Sequence, residues 1–283
     1  MSKYGFLIVL GLIGILAPPF IHADTLLYDD FSGNRVSSDK WHIPTWVSPA
    51  DGTVVGLTQF RFTQNSSLPA ANNGCAIIAL ESYNPTAISF YGTDLRSNQS
   101  FAVGSGIHIT VRAKMDTATR GIVGGIFLYA LKPGSTTNHD EIDFEFITNR
   151  PHGVQTNIYG NEKLGDGHVV FVPYASGSIM DYHTYEIKWL PEQVSWFIDG
   201  KLVRTDTNHV PAGPMNLHLN IWVPGSGWPA AYDPDLKPAT SADSNRIFSM
   251  SVDSVHVQSM TPAQAGGLPL QIGGVRSGTD YER

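Results

Sequence analysis

The chain carries a single cysteine, Cys75, among 283 residues. One thiol cannot close an intramolecular disulfide, so buried apolar surface must hold the fold without covalent staples. Cys75 itself reads as a small buried hydrophobe. Positive charge is scarce and scattered: 18 Lys and Arg stand against 25 Asp and Glu, with no basic stripe. Nucleic acid is therefore not an expected partner. The longest apolar run, Gly5 to Ala17, stops at Pro18-Pro19, short of the ~20 residues a bilayer-spanning helix needs. Internal repeats and Pro/Ser-rich linkers are missing. So are a phosphate-cradling Gly loop, a dinucleotide fingerprint and a Gly-x-Ser-x-Gly nucleophile elbow.

What stands at the N-terminus is a secretory pattern, with Lys3 as a positive start, the apolar run, and Ile21-His22-Ala23 ending in a small residue. Residues 1–23 are expected to be a signal peptide, and losing Lys3 with it takes the formal charge from −7 to −8. The mature protein is expected to be secreted, extracellular or periplasmic, with no membrane span after signal removal, and monomeric. Residues 24–260 read as one domain. Residues 261–283, rich in Gly and polar side chains, read as a flexible tail.

Helical periodicity is hard to find, whereas short alternating segments rich in Val, Ile, Thr and aromatics recur between Gly, Pro, Asn and Asp. Strands are expected at 106–115, 122–131, 141–147, 154–159, 183–190, 194–198, 201–205, 216–222 and 247–257. Asp199-Gly200 between two of them is a tight-hairpin signal, because a type I′ turn needs positive φ at both central residues. The pattern predicts an all-β fold, a two-layer sandwich of antiparallel sheets.

The segment His139-Asp140-Glu141-Ile142-Asp143-Phe144-Glu145-Phe146 carries the chemistry. On a strand, Glu141, Asp143 and Glu145 share one face while Ile142, Phe144 and Phe146 share the other. Three adjacent carboxylates repel one another and contribute nothing to folding, which points to function. A solvated edge strand and a calcium-binding cluster are the alternatives. The functional reading is a glycosidase acid pair, one carboxylate attacking the anomeric carbon and another protonating the leaving oxygen. Crowding of like charges raises the pKa of one member, as an acid catalyst requires.

The stretch His139 to Phe146 resembles the signature of glycoside hydrolase family 16, the group of lichenases, laminarinases and xyloglucan endotransglycosylases/hydrolases. The resemblance extends from Tyr28-Asp29-Asp30-Phe31-Ser32-Gly33 through Val111 to Met115 and on to Val252-Asp253-Ser254-Val255. It implies a concanavalin A-like jelly-roll sandwich of two antiparallel sheets with Glu141 as nucleophile, Asp143 as assisting carboxylate and Glu145 as general acid/base. Substrate contacts are implied for His139, Arg112, Gln155, Asn157, Asn220 and Trp222. No cofactor is required, although the resemblance allows a structural calcium at Asp253. The spacing Glu-Ile-Asp-Phe-Glu lacks the bulge residue of laminarinase-like members and is similar to the lichenase and xyloglucan branch.

Two departures bear on specificity. Lichenases carry a glutamate two positions before the arginine matching Arg112, where this chain has Thr110; the missing carboxylate argues against strict lichenan specificity. His139 stands where lichenases have a tryptophan, which agrees with the xyloglucan enzymes. Among aromatics, Trp222 and Trp228 read as sugar-stacking, and Trp41, Trp189 and Trp196 as core. His139, His152, His168 and His183 form no close pair at metal-ligand spacing, and no metal site is expected from them. The function implied is a secreted retaining endo-β-glucanase on β-1,4 or mixed β-1,3/1,4-linked glucans, including xyloglucan. A polysaccharide is then the partner. A transglycosylase using the same intermediate and a non-catalytic carbohydrate-binding lectin are the alternatives.

Overall fold

The structure, a computed structural model, describes residues 23–44, 55–61 and 68–266. The expected leader up to His22 and the tail from 267 lie outside the described residues. The chain forms β1 (Thr25–Asp29), β2 (Trp41–His42), β3 (Thr58–Phe60), β4 (Ala71–Asn72), β5 (Cys75–Glu81), β6 (Phe90–Phe101), β7 (Ile107–Met115) and β8 (Val123–Leu131). It continues with β9 (Asn138–Ile147), β10 (Gly153–Lys163), β11 (Val170–Pro173), β12 (His183–Leu190), β13 (Gln193–Ile198), β14 (Lys201–Asp206), β15 (Met215–Trp222) and β16 (Ile247–Ser259). All nine expected strands are present with slightly shifted ends. No helix among the described residues is long and apolar enough to cross a membrane.

The main strands follow one hydrogen-bonded path, β11-β10-β9-β8-β15-β6-β5-β16-β7-β12-β13-β14. At the β5–β6 step only Glu81 and Tyr91 pair, and the path folds over there into two layers. The groove-bearing layer is β11-β10-β9-β8-β15-β6; the other is β5-β16-β7-β12-β13-β14. This is the two-layer all-β sandwich that the alternating pattern predicts and the jelly roll that the resemblance implies.

The pleat explains why these residues form this sandwich. In β7 the odd residues Ile107 to Met115 are buried and the even ones only half-buried, the hydrophobic-in, polar-out alternation of an antiparallel sheet with one wet face. β9 obeys the same rule from the opposite layer. Its Ile142, Phe144 and Phe146 are fully buried in the core. The rings of Phe144 and Phe146 meet Tyr185 of β12 at centroid distances of 5.2 and 4.8 Å. Asp199 and Gly200 both take positive φ, 51° and 76°, and close the β13–β14 hairpin as expected.

Trp41, Trp189 and Trp196 are fully buried, and each indole N–H reaches an acceptor, as buried tryptophan requires. Trp41 Nε1 donates to Asp29 Oδ2 at 2.8 Å and Trp189 Nε1 to the Pro211 carbonyl at 3.0 Å. Trp196 Nε1 donates to the backbone carbonyl of Asp143 at 3.0 Å, tying the far layer to the strand that bears the acids.

Phe144→Ala, which opens a cavity between the layers, is expected to lower unfolding stability by ~3–5 kcal/mol in urea titrations with the m-value unchanged. Ile88→Ala, at a position 85% exposed, is expected to stay within about 0.5 kcal/mol. Equal effects of the two would refute the assignment of Phe144 to the core.

Candidate active site

The register of the groove-bearing layer places side chains in rows across neighbouring strands. In the first row Gln155 of β10 pairs with Glu145 of β9, which pairs with Gly125 of β8. Gly125 lies opposite Asn220 of β15, which lies opposite Asp94 of β6. The second row runs Asn157, Asp143, Phe127, His218 and Arg96, and the third Tyr159, Glu141, Tyr129 and Asn216. Since β9 buries its even-numbered residues from Ile142 to Phe146, the odd-numbered acids face outward together. Glu141, Asp143 and Glu145 line one pocket with Asp94, Phe127, Asn220 and Trp222.

At Gly125 a Cβ would lie 2.5 Å from Asn220 Oδ1, so any side chain there would displace the Asn220 amide from its place in the groove. The pocket is walled at the Glu145 end by Val55 and Phe60. Gly56, at φ +62°, packs so tightly on the backbone of Val223 to Gly225 that a Cβ would approach to 2.7 Å. Trp222 is backed by Trp228, with ring centroids 5.9 Å apart.

The three carboxyls are not equivalent. Glu145 is pushed up to about 8, first by burial and then by the charge of Glu141, against the opposing hydrogen bond from Gln155; the Gln155 amide donates to Glu145 Oε2 at 2.5 Å. Asp143 is held well above the carboxylate range by burial and by the charges of Glu145 and Glu141. The Arg204 guanidinium and the Asn157 N–H pull the other way. Its Oδ1 is buried with no hydrogen-bond partner among the described residues, an arrangement that suits a protonated acid better than an ion. Glu141 and Glu145 are both half-buried at the floor of the groove and only Asp143 is fully buried; His139 Nε2 lies 3.1 Å from Glu141 Oε2. That contact is close but falls outside hydrogen-bond alignment. Burial pulls the His139 pKa down, yet Glu141 outweighs it and the net shift is upward.

The family model described as glycosyl hydrolases family 16 matches residues 57–241. The chain belongs to that family. It is 28% identical over 232 residues to a β-glucanase of Acetivibrio thermocellus, covering 80% of this chain and 65% of the relative. It is 36% identical over 139 residues to a β-glucanase of Bacillus amyloliquefaciens, covering 48% of this chain and 56% of the relative. The chain thus spans less than two thirds of either relative. Among solved structures, Bacillus licheniformis β-glucanase superposes with a TM-score of 0.64 at 23% identity over 83% of this chain and 98% of that one. An endo-1,3-β-glucanase (laminarinase) catalytic domain from Thermotoga petrophila gives 0.67 at 18% identity over 84% and 98%. Both show the family 16 fold.

Of the residues singled out from the sequence, the structure brings Glu141, Asp143, Glu145, Gln155, Asn157, Asn220 and Trp222 onto one face, with Trp228 behind. Arg112 is not among them. It projects from the outer face of β7, pairs with Asp253 at 3.3 Å and lies over the Tyr182 ring; in β7 the even positions point away from the core and the groove lies across the other layer. The carboxylate taken as missing at Thr110 is therefore sought in the wrong strand. Asp94 and Arg96, two apart on β6, occupy the groove rows instead, and Arg96 donates to Asn216 Oδ1 at 2.8 Å.

His139 also differs from expectation. It is 3% exposed, packed between the rings of Tyr129 and Tyr159 at 5.2 and 4.4 Å, so it touches Glu141 rather than presenting a face to a sugar. Asp253, to which the resemblance attaches a structural calcium, pairs with Arg112 at 3.3 Å and accepts the Ser254 hydroxyl at 3.3 Å.

The sequence reading missed Asp94, Phe127, Tyr129 and His218. His218 is buried, its Nδ1 3.0 Å from Asp94 Oδ1 and its ring stacked on Phe127 at 4.8 Å. The signal for β15 was present as Asn216-x-His218-x-Asn220 alternating with Leu217, Leu219 and Ile221.

The raised Glu145 pKa has a stability consequence. Below its ordinary value of 4.5 the carboxyl is protonated folded and unfolded, so its contribution is complete. As pH rises toward about 8 the unfolded chain releases the proton first, and that contribution is lost. The thermal midpoint of Glu145→Gln is therefore expected to rise relative to the unsubstituted protein between pH 5 and 8 in calorimetric scans; a pH-independent difference would contradict the buried acid.

Proposed function

We propose that the protein is a retaining endo-β-glucanase acting on β-1,4 or mixed β-1,3/1,4-linked glucans, xyloglucan included, and that it works after export. The observation that carries this reading is the alignment of Glu141, Asp143 and Glu145 on one face of β9, opening into a single pocket lined by Phe127 and Trp222. The β-glucanase relatives support the substrate class. A long polymer suits a groove that runs across several strands, and the aromatic rings offer apolar platforms for the C–H faces of sugars.

In this reading Glu141 attacks the anomeric carbon while Glu145, still protonated, donates its proton to the departing glycosidic oxygen. The carbon–oxygen bond to the leaving sugar breaks and an ester to Glu141 forms. Glu145, now a carboxylate, takes a proton from water; the hydroxide so generated attacks the same carbon and frees Glu141 with net retention. A neutral Asp143 between them donates a hydrogen bond to the Glu141 carboxylate, and His139 holds its far side. Retention needs the two carboxyls ~5–5.5 Å apart, while Cα atoms four residues apart on a strand are separated by ~13 Å. The mechanism therefore requires the two side chains to lean toward each other over Asp143.

Glu141→Ala is expected to lose about a thousandfold or more in kcat with the fold intact, equivalent to ~4 kcal/mol at ~1.4 kcal/mol per tenfold. The first product observed by proton NMR on mixed-linked glucan should be the β anomer. Full activity in the variant, or an α anomer first, would remove the mechanism. The unsubstituted enzyme should lose rate as pH rises through about 8, because Glu145 then lacks the proton it must give. A rate still climbing past pH 9 would assign the acid to another group.

A further inference from the structure

Outside the acid rows, three side chains from separate loops converge. Glu162 lies at the end of β10, His168 in the connection to β11, and His209 in the connection from β14 to β15. One donor atom from each lies within 4.8 Å of the others. Glu162 Oε1 is 3.0 Å from His168 Nε2, and its Oε2 accepts the Gly160 N–H at 2.9 Å. The two imidazoles lie face to face, centroids 3.3 Å apart at 16°. The side chains are 25%, 32% and 28% exposed for Glu162, His168 and His209, so an ion can reach them from solvent.

A second, independent feature points to a ligand. Asp206 accepts the backbone N–H groups of Asn208 and His209, and its Oδ1 lies 3.2 Å from His209 Nδ1. With the proton on Nδ1, that contact leaves the Nε2 lone pair as the donor, the carboxylate–histidine support typical of metal-bound imidazole. Two imidazoles and one carboxylate suit a borderline divalent cation, which takes three protein ligands at ~2.0–2.2 Å and leaves a fourth place for water. Calcium and magnesium prefer all-oxygen sets. The stacked rings must tilt apart for an ion to lie in both ring planes, a movement open to half-exposed side chains.

The position gives the cluster a consequence for the groove. The segment between Glu162 and His168 crosses Tyr159 and Asn157 so closely that a Cβ on Gly167 would lie 2.4 Å from Tyr159 Cζ and 2.7 Å from Asn157 Nδ2. Tyr159 and Asn157 stand opposite Glu141 and Asp143. His209 packs its carbonyl on Gly160, where a Cβ would approach to 2.7 Å.

We propose that Glu162, His168 and His209 form a site for a divalent transition-metal ion of the zinc type, which clamps the segment between Glu162 and His168 over the Tyr159 end of the groove. The site is separate from the acid row and does not depend on the reaction proposed above.

The test uses the tag-free full chain, stripped with chelator and dialysed at neutral pH, titrated with zinc chloride by calorimetry and followed by thermal unfolding. One zinc per chain should bind and raise the unfolding midpoint, while calcium and magnesium chlorides leave it unchanged. The double variant His168→Ala/His209→Ala and the single variant Glu162→Gln, each checked by circular dichroism, should bind at least tenfold more weakly. Unaltered binding in those variants places the ion elsewhere and overturns the proposal, as does absence of binding to the unsubstituted chain. Cobalt(II) gives a readout that needs no variant: intense visible bands of a low-coordinate nitrogen and oxygen site support the clamp, and the pale spectrum of the hydrated ion refutes it.

Discussion

The site depends on the pleat of one strand. Ile142, Phe144 and Phe146 of β9 are drawn into the core, and the period of two then leaves Glu141, Asp143 and Glu145 no option but to face the groove side by side. Placing three acids on one face costs Coulomb energy, and burial adds to that cost at Glu145 and Asp143. The packing of Phe144 and Phe146 on Tyr185, together with the Trp196–Asp143 hydrogen bond, holds the strand in that register despite the repulsion. A slip of one residue would turn every acid inward and every phenyl ring outward, so core and site are two faces of a single constraint.

The repulsion has a chemical use. A carboxyl that is buried beside another negative charge keeps its proton at neutral pH, which is the state a general acid needs. Each acid has its own neighbour across the sheet, Gln155 for Glu145, the Asn157 backbone for Asp143 and Tyr159 for Glu141, and Glu141 also has His139 beside it on β9 itself. Arg204 reaches the same region from β14, donating to the Thr156 carbonyl at 3.0 Å while its guanidinium covers the Trp196 ring. Burial and neighbouring charge thereby raise two of the three carboxyls, Asp143 and Glu145.

The strands that alternate cleanly were legible in the sequence, and so was the Asp199-Gly200 hairpin, because both signals are local. The acid row was legible for the same reason. β6 was not, since its polar stretch from Arg96 to Ser100 lacks the apolar alternation of the other strands, and the pairing of Asp94 with His218 could not be read without it. Arg112 was placed by likeness of a short strand motif, which says nothing about the layer to which that strand belongs. His168 and His209 meet only through folding, so no spacing rule could pair them. Local periodicity decides faces, whereas tertiary register decides neighbours, and a groove is made of neighbours.

The most direct measurement is to trap the reaction on the chain itself. Incubation with an activated 2-deoxy-2-fluoro-β-glucoside or cello-oligosaccharide, followed by peptic digestion and mass spectrometry, should yield one sugar adduct per chain, located on Glu141. An adduct on Glu145 or Asp143, or turnover of glucan by a protein that the reagent never labels, would contradict the assignment of the β9 acids.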